Sequence, residues 1–149
     1  MSNDILNLQN QLCFALYACS KEITKMYRPL LDKIGLTYTQ YITLLALWEE
    51  EDSITVKKLG NKLLLDSGTL TPLLKKLEKN GLIERTRDKD DERNVIIVLT
   101  QQGRELKEKA LEIPEKLVNQ IDIDVNSLIK LRNDANKLLS SLNNNHVKK

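Results

Sequence analysis

Cys13 and Cys19 are the two thiols of this 149-residue chain, six residues apart in the apolar stretch QLCFALYACS. A cysteine thiolate attacks peroxides, binds soft metals and forms disulfides, so these two positions hold most of the reactive chemistry the chain has. The remaining inventory is thin. The one histidine, His146, lies in the tail NNNHVKK, which excludes a histidine-based triad or a typical zinc site. No G-x-x-x-x-G-K or G-x-G-x-x-G phosphate cradle occurs, and neither a metal nor a cofactor is expected. A thiol peroxidase using Cys13 is disfavoured, because no second cysteine is placed to resolve its sulfenate.

A disulfide between the two thiols is geometrically poor. Six residues of helix rise about 9 Å, whereas bridged Cα atoms lie about 4.4–6.8 Å apart. Cys19 falls on the Leu12, Ile23 and Met26 side of the helix, where a free cysteine is expected to pack as a small hydrophobe.

The second chemical feature is charge. The net charge is only +2, but residues 1–54 hold four Lys/Arg against seven Asp/Glu, residues 55–93 ten against seven, and residues 94–149 nine against seven. An anionic partner therefore belongs at the middle third. No apolar run approaches the roughly 20 residues of a membrane helix, and MSNDILNLQNQ does not read as a signal peptide. A cytoplasmic chain with reduced thiols and no membrane partner is expected.

The elements that position these residues follow from periodicity. Leu8, Leu12, Ala15, Cys19, Ile23 and Met26 form the stripe of a first helix that runs to about Arg28, before Pro29. Leu6, Cys13, Phe14, Leu16 and Tyr17 add apolar surface off that stripe, more than one small core covers, so a partner subunit is expected. Thr37 opens a T-x-x-Q capping box with Gln40, and Tyr41, Leu44, Leu45 and Trp48 form the apolar face of a second helix, ending in the acidic run Glu49 to Asp52. Ile54-Thr55 lead into a short third helix with Val56, Leu59 and Leu63. Asp66 and Ser67 are N-cap candidates for a fourth, with Leu70, Leu73, Leu74 and Leu77 buried and Asn80-Gly81 as its stop. LIERTR and NVIIVLT alternate with period two around the polar DKDDER, a β-hairpin with a charged tip. Thr100 caps a fifth helix, Pro114 interrupts it, and Val125, Leu128, Leu131, Ala135, Leu138 and Leu142 stripe a last one. The tail is expected to fray.

Helix, short turn, helix, hairpin is the order of a winged helix-turn-helix, and it coincides with the basic third of the chain. The predicted fold is mainly α with a small β-hairpin wing. In SGTLTPLLKKLEKNG the leucines take one face and leave Ser67, Thr69, Thr71, Lys75 and Lys76 on the other, which suits entry of hydroxyls into a major groove with lysines on the backbone. Arg85, Arg87, Lys89 and Arg93 on the hairpin suit a neighbouring minor groove. Pro72 is expected near the first turn, where proline is tolerated.

The stretches LTYTQY and LDSGTLTPLLKKLEKNGLIERTRDKDDERNVIIVLT resemble the MarR family of winged-helix transcription regulators. With QLCFALYACSKE, the chain is similar to the organic hydroperoxide resistance regulators and the related staphylococcal thiol-based global regulators. The resemblance covers nearly the whole chain, weakens after about Pro114, and is carried chiefly by DSGTLTPLLKKLE and DERNV. It implies one MarR-type domain over 1–149, with dimerisation helices at 1–35 and 114–149 and a winged-helix part at 36–113. It implies a homodimer on an AT-rich inverted repeat of double-stranded DNA. It places Ser67, Thr69, Thr71, Pro72 and Lys75 on the recognition helix, and Asp91 and Arg93 on the wing, where the Asp orients the Arg into the minor groove. It makes Cys13 the peroxide sensor, bonded by Tyr27 and Tyr38 of the opposing subunit, with Tyr17 a third candidate.

The chain departs from two-cysteine members of that branch, because no cysteine follows Cys19. Oxidised Cys13 is then expected to rest as a sulfenic acid until a low-molecular-weight thiol caps it or further oxidation traps it. The expected function is a dimeric repressor, not an enzyme, that releases its operator when an organic hydroperoxide oxidises Cys13. The alternative is a regulator released by a small aromatic ligand.

Overall fold

A computed structural model of the chain describes residues 4–51 and 53–147, with side chains as far as residue 144. Asp52 and the side chain of His146 lie outside the described residues. The chain divides into two compact units, residues 1–113 and 114–149.

The first unit opens with a 3₁₀ turn, Leu8–Asn10, capped by Asn7, whose side chain accepts from the Gln9 amide at 3.0 Å. Helix α1 then spans Leu12–Asp32. Both ends differ from the expected ones. Leu8 belongs to the capped turn rather than to the stripe, and Pro29 lies inside the helix. Proline removes one amide, so the Lys25 carbonyl loses its helical partner; Lys25 is exposed and water can serve that carbonyl.

Helix α2 (Tyr38–Trp48) carries the predicted capping box, with the Gln40 amide donating to Thr37 Oγ1 at 3.3 Å and the Thr37 amide to Gln40 Oε1 at 3.0 Å. It is the central element. Gln40, Tyr41, Thr43, Leu44, Ala46 and Leu47 are all buried, and the fully enclosed Thr43 hydroxyl donates to the Thr39 carbonyl at 2.7 Å. A two-residue strand β1 (Ile54–Thr55), α3 (Val56–Leu63), α4 (Ser67–Lys79), β2 (Ile83–Arg87), β3 (Val95–Leu99) and α5 (Gln101–Ala110) follow.

The sheet has three antiparallel strands in the order β1-β3-β2, with Ile54 opposite Ile97 and Arg85 opposite the same residue. The wing is thus a predicted hairpin plus one unpredicted strand. Thr55 serves twice, pairing with Ile96 and capping α3 through a 3.1 Å bond from the Lys58 amide.

The core joins Leu31 of α1 to Leu44 and Leu47 of α2, Leu59 of α3, Leu70, Leu74 and Leu77 of α4, and Ile83 and Ile97 of the sheet. Each such aliphatic side chain contributes about 1.5–3 kcal/mol when fully buried. Gly103 permits the closest approach in this unit, because a Cβ there would lie 2.1 Å from the Leu82 carbonyl oxygen.

Leu64, between α3 and α4, is the one non-glycine residue at positive φ among those described (φ 57°), and its side chain is exposed. It ends α3 in a Schellman turn, with the Leu65 amide donating to the Gly60 carbonyl at 3.0 Å. A left-handed leucine costs about 1–2 kcal/mol, partly offset by the greater unfolded-state freedom of glycine. Leu64→Gly is therefore expected to raise stability by about 0.5–1 kcal/mol, measured as a higher denaturant midpoint at unchanged slope. An unchanged or lower midpoint would show that the Leu64 side chain makes good the backbone cost.

The second unit holds most of α6 (Ile113–Val118) and α7 (Val125–Val147). Pro114 is the second residue of α6, so it begins a helix rather than merely interrupting one. Helix α7 runs through most of the tail expected to fray. Of its predicted stripe, Val125, Leu131 and Leu142 are exposed and Leu128 and Leu138 half-buried. No helix among the described residues is long and apolar enough to cross a membrane.

Candidate nucleic-acid interface and thiol site

Helix α4 begins where Asp66 caps it. Its carboxylate accepts from the Thr69 amide at 2.7 Å, and that bond holds the Asp66 carboxyl below the usual carboxylate range. Leu70, Leu74 and Leu77 turn inward. Ser67, Thr69, Pro72, Lys75 and Lys76 are exposed and Thr71 is half-buried, so the structure presents these residues together on the outer face of one helix. Pro72 stands in the second turn rather than the first, and the Gly68 carbonyl forfeits its partner on an exposed surface. The helix ends in a Schellman turn: Gly81, at φ +76°, donates to the Glu78 carbonyl, and the Leu82 amide to that of Leu77, both at 3.0 Å.

On the wing, Asp91 grips Arg93 with both oxygens, accepting from Nε at 3.0 Å and from Nη2 at 3.1 Å, and it also accepts from the Arg93 amide at 3.1 Å. This fork holds the Asp91 carboxyl below its ordinary range and leaves the Arg93 side chain 90% exposed. Arg87 donates to the Glu92 carbonyl across the wing tip at 3.0 Å. Arg85 differs from the other wing cations. Its side chain is half-buried and engaged with Glu78 of α4, which lowers the Glu78 carboxyl below its usual range. Glu78 did not stand out in the sequence, although a carboxylate in the last turn of a helix, against the dipole, was a usable signal.

The thiols lie on α1 and both are exposed. Within one chain Cys19 is exposed rather than packed, because α1 buries only Leu31 against its own core. Cys13 and Tyr17 stand one turn apart, and Tyr17 is exposed. Tyr27 and Tyr38 meet ring to ring, with centroids 5.1 Å apart and planes tilted by 45°. A third ring, that of buried Tyr41, lies 5.6 Å from Tyr27. The resemblance joins Tyr27 with Tyr38, but Tyr41 reads only as part of the apolar face of α2, so its place in the triplet was not foreseen.

Burial first, then its neighbours Tyr41 and Tyr38, push the Tyr27 phenol from 10.0 up to about 12. The unfolded chain therefore releases this proton at lower pH than the folded one. The stability linked to it is complete below about pH 10 and lost as pH rises to about 12. Denaturant midpoints are expected to fall across that window, and to fall less in Tyr27→Phe; equal slopes in the two proteins would dismiss the effect.

The winged head carries a striped helix, a wing with a presented arginine and little else of chemical note. Residues 25–110 match the family model described as transcriptional regulator SarA/Rot. The chain belongs to this family. As a SarA/Rot-type regulator it is a transcription factor with the winged-helix fold of MarR-like proteins, not an enzyme. It is 52% identical to the organic hydroperoxide resistance transcriptional regulator of Bacillus subtilis, over 93% of this chain and 94% of that one. It is 45% identical to the regulator SarZ of Staphylococcus aureus, over 95% of each. Among solved structures, reduced AbfR bound to DNA shares 34% identity and superposes with a TM-score of 0.78, covering 95% of this chain and 99% of that one. The SarA/Rot match includes α4, the wing and the tyrosine triplet, while Cys13 precedes it.

Proposed function

We propose that this SarA/Rot-type regulator is a dimeric repressor that holds an AT-rich inverted-repeat operator while Cys13 is reduced and releases it when an organic hydroperoxide oxidises that thiol. The observation that carries the reading is the exposed Cys13–Tyr17 pair, together with the preassembled Tyr27–Tyr38 pair, in a chain so similar to a hydroperoxide resistance regulator. Tyr27 lies 14 residues beyond Cys13 on the same helix, about 21 Å along its axis. Its hydroxyl therefore reaches a Cys13 only from a second copy. Leu12, Phe14, Leu16 and Ile23 on α1 are exposed, as are Val125, Ile129, Leu139 and Leu142 on α7, and a second copy would cover them.

The DNA contacts are Ser67, Thr69, Thr71 and Pro72 at the major groove, Lys75 and Lys76 on the flanking phosphates, and Arg93, oriented by Asp91, in the minor groove, with Arg87 beside it. In the redox step the Cys13 thiolate attacks one peroxide oxygen. A sulfur–oxygen bond forms, the O–O bond breaks, and the departing alkoxide takes a proton to become an alcohol. A small thiol then displaces hydroxide from the sulfenic acid, giving a mixed disulfide and water. The bulkier sulfur breaks its bonds to Tyr27 and Tyr38, and the two heads move out of register with major grooves roughly 34–36 Å apart.

The test is fluorescence anisotropy of labelled DNA from upstream of the gene, titrated with reduced protein and challenged with cumene hydroperoxide. Binding followed by release supports the reading. Binding that ignores the oxidant, but yields to an aromatic acid, transfers it to ligand control.

A further inference from the structure

Glu78 is placed against its own helix. It lies in the last turn of α4 beside Lys76 and Lys79, where the helix dipole favours cations and disfavours a carboxylate. Its use lies across the turn. Glu78 Oε1 accepts from Arg85 Nε at 3.2 Å and from Nη2 at 3.0 Å, while Oε2 accepts from the Arg85 backbone amide at 3.3 Å. Strand β2 is an edge of the sheet, and the Arg85 amide points away from β3 on that open edge. One carboxylate thus closes the strand edge through the main chain and grips the same residue through its side chain. Arg85 sits at the middle of β2, and only Asn80 to Leu82 separate α4 from that strand. The Schellman turn at Gly81 fixes how the chain leaves α4, and the pair fixes where the strand goes next.

We propose that Glu78 and Arg85 are positioning residues, a clamp that sets the wing against the recognition helix, and that Arg85 acts on DNA through this geometry rather than by touching it. The inference rests on the DNA-binding reading for its consequence, but not for the clamp itself. Both arginines are gripped through Nε and Nη2 by a carboxylate, but the Arg85 side chain is 27% exposed and held against α4, whereas that of Arg93 is 90% exposed at the wing tip and already presented.

The two roles predict opposite signs for Glu78→Gln, an isosteric change. If Arg85 were a phosphate contact, removing a nearby negative charge and freeing the guanidinium would tighten operator binding. As a clamp component, Glu78→Gln weakens operator binding by about tenfold, the order of one lost specific contact. It leaves binding to scrambled DNA no weaker. Arg85→Met is expected to weaken the operator complex by a similar factor, and the double variant no further, because both single changes break one device.

A measurement on the protein alone separates the clamp from the DNA reading. Spin labels at Lys79→Cys and Asp90→Cys, in a Cys13→Ser, Cys19→Ser background, report the distance from α4 to the wing tip. Glu78→Gln is expected to broaden that distribution. Tighter operator binding by Glu78→Gln, additive losses in the double variant, or an unchanged distribution would overturn the proposal. Failure of the parent protein to bind its operator, with a broadened distribution in the variant, would keep the clamp and remove the DNA reading instead.

Discussion

Cys13→Ser is expected to bind the operator within about twofold of the parent, as exposed substitutions usually allow, and to stay bound through an excess of cumene hydroperoxide that releases the parent completely. Serine differs from cysteine by one atom, and Cys13 is exposed, so little packing changes in the chain itself. The reactivity changes outright, because an alcohol supplies no nucleophile comparable to a thiolate at neutral pH. Cys19→Ser provides the comparison. Both thiols are exposed on α1, so exposure does not distinguish them; the neighbours do. Cys13 has Tyr17 one turn away, and Cys19→Ser is expected to release DNA as the parent does. Release by peroxide in Cys13→Ser, with retention in Cys19→Ser, would move the sensor six residues along the helix. Intact mass after oxidation adds a second reading. A single adduct of the added thiol on the parent, absent in Cys13→Ser, fits a chain in which no later cysteine resolves the sulfenate.

How much of this was legible beforehand depended on the range of the interaction. The Thr37–Gln40 box, the Asp66 cap and the Asn80-Gly81 stop were all readable, because each is decided by residues within one helical turn of each other. The wing hairpin was readable from its period-two alternation. Strand β1 was not, since two residues carry no period and Ile54-Thr55 read only as the lead into α3, which Thr55 also caps. Pro29 misled for the opposite reason: a strong local breaker was overridden once Leu31 had a core to enter. The outer face of α4 was legible because the buried leucines define its complement. The state of Arg85 was not, because its partner is seven residues away across a turn whose geometry only the fold supplies. The tyrosine triplet likewise needs α1 and α2 to meet before Tyr27, Tyr38 and Tyr41 become neighbours.

Arg93→Ala is expected to reduce operator affinity more than any other single change on the head. A specific groove contact is worth about 1–3 kcal/mol, and a dimer loses it twice, which corresponds to a factor of about 30 to about 25,000. The size follows from preorganisation. Most exposed arginines lose rotamer freedom on binding, but Arg93 is already fixed by two side-chain bonds and one amide bond to Asp91, so less is lost when it enters a groove. Asp91→Ala sharpens the argument, because it makes the wing more positive while freeing the arginine. Charge alone would then tighten binding to every sequence. Orientation predicts weaker binding to the operator and tighter binding to scrambled DNA, a loss of discrimination rather than of attraction. Arg93→Lys keeps the charge without the planar fork, and under the orientation reading it resembles Arg93→Ala on the operator. Anisotropy titrations on operator and scrambled duplexes at several salt concentrations separate these outcomes. Equal losses on both duplexes, with full rescue by lysine, would make Arg93 a phosphate contact and leave the operator's sequence to be read by α4 alone.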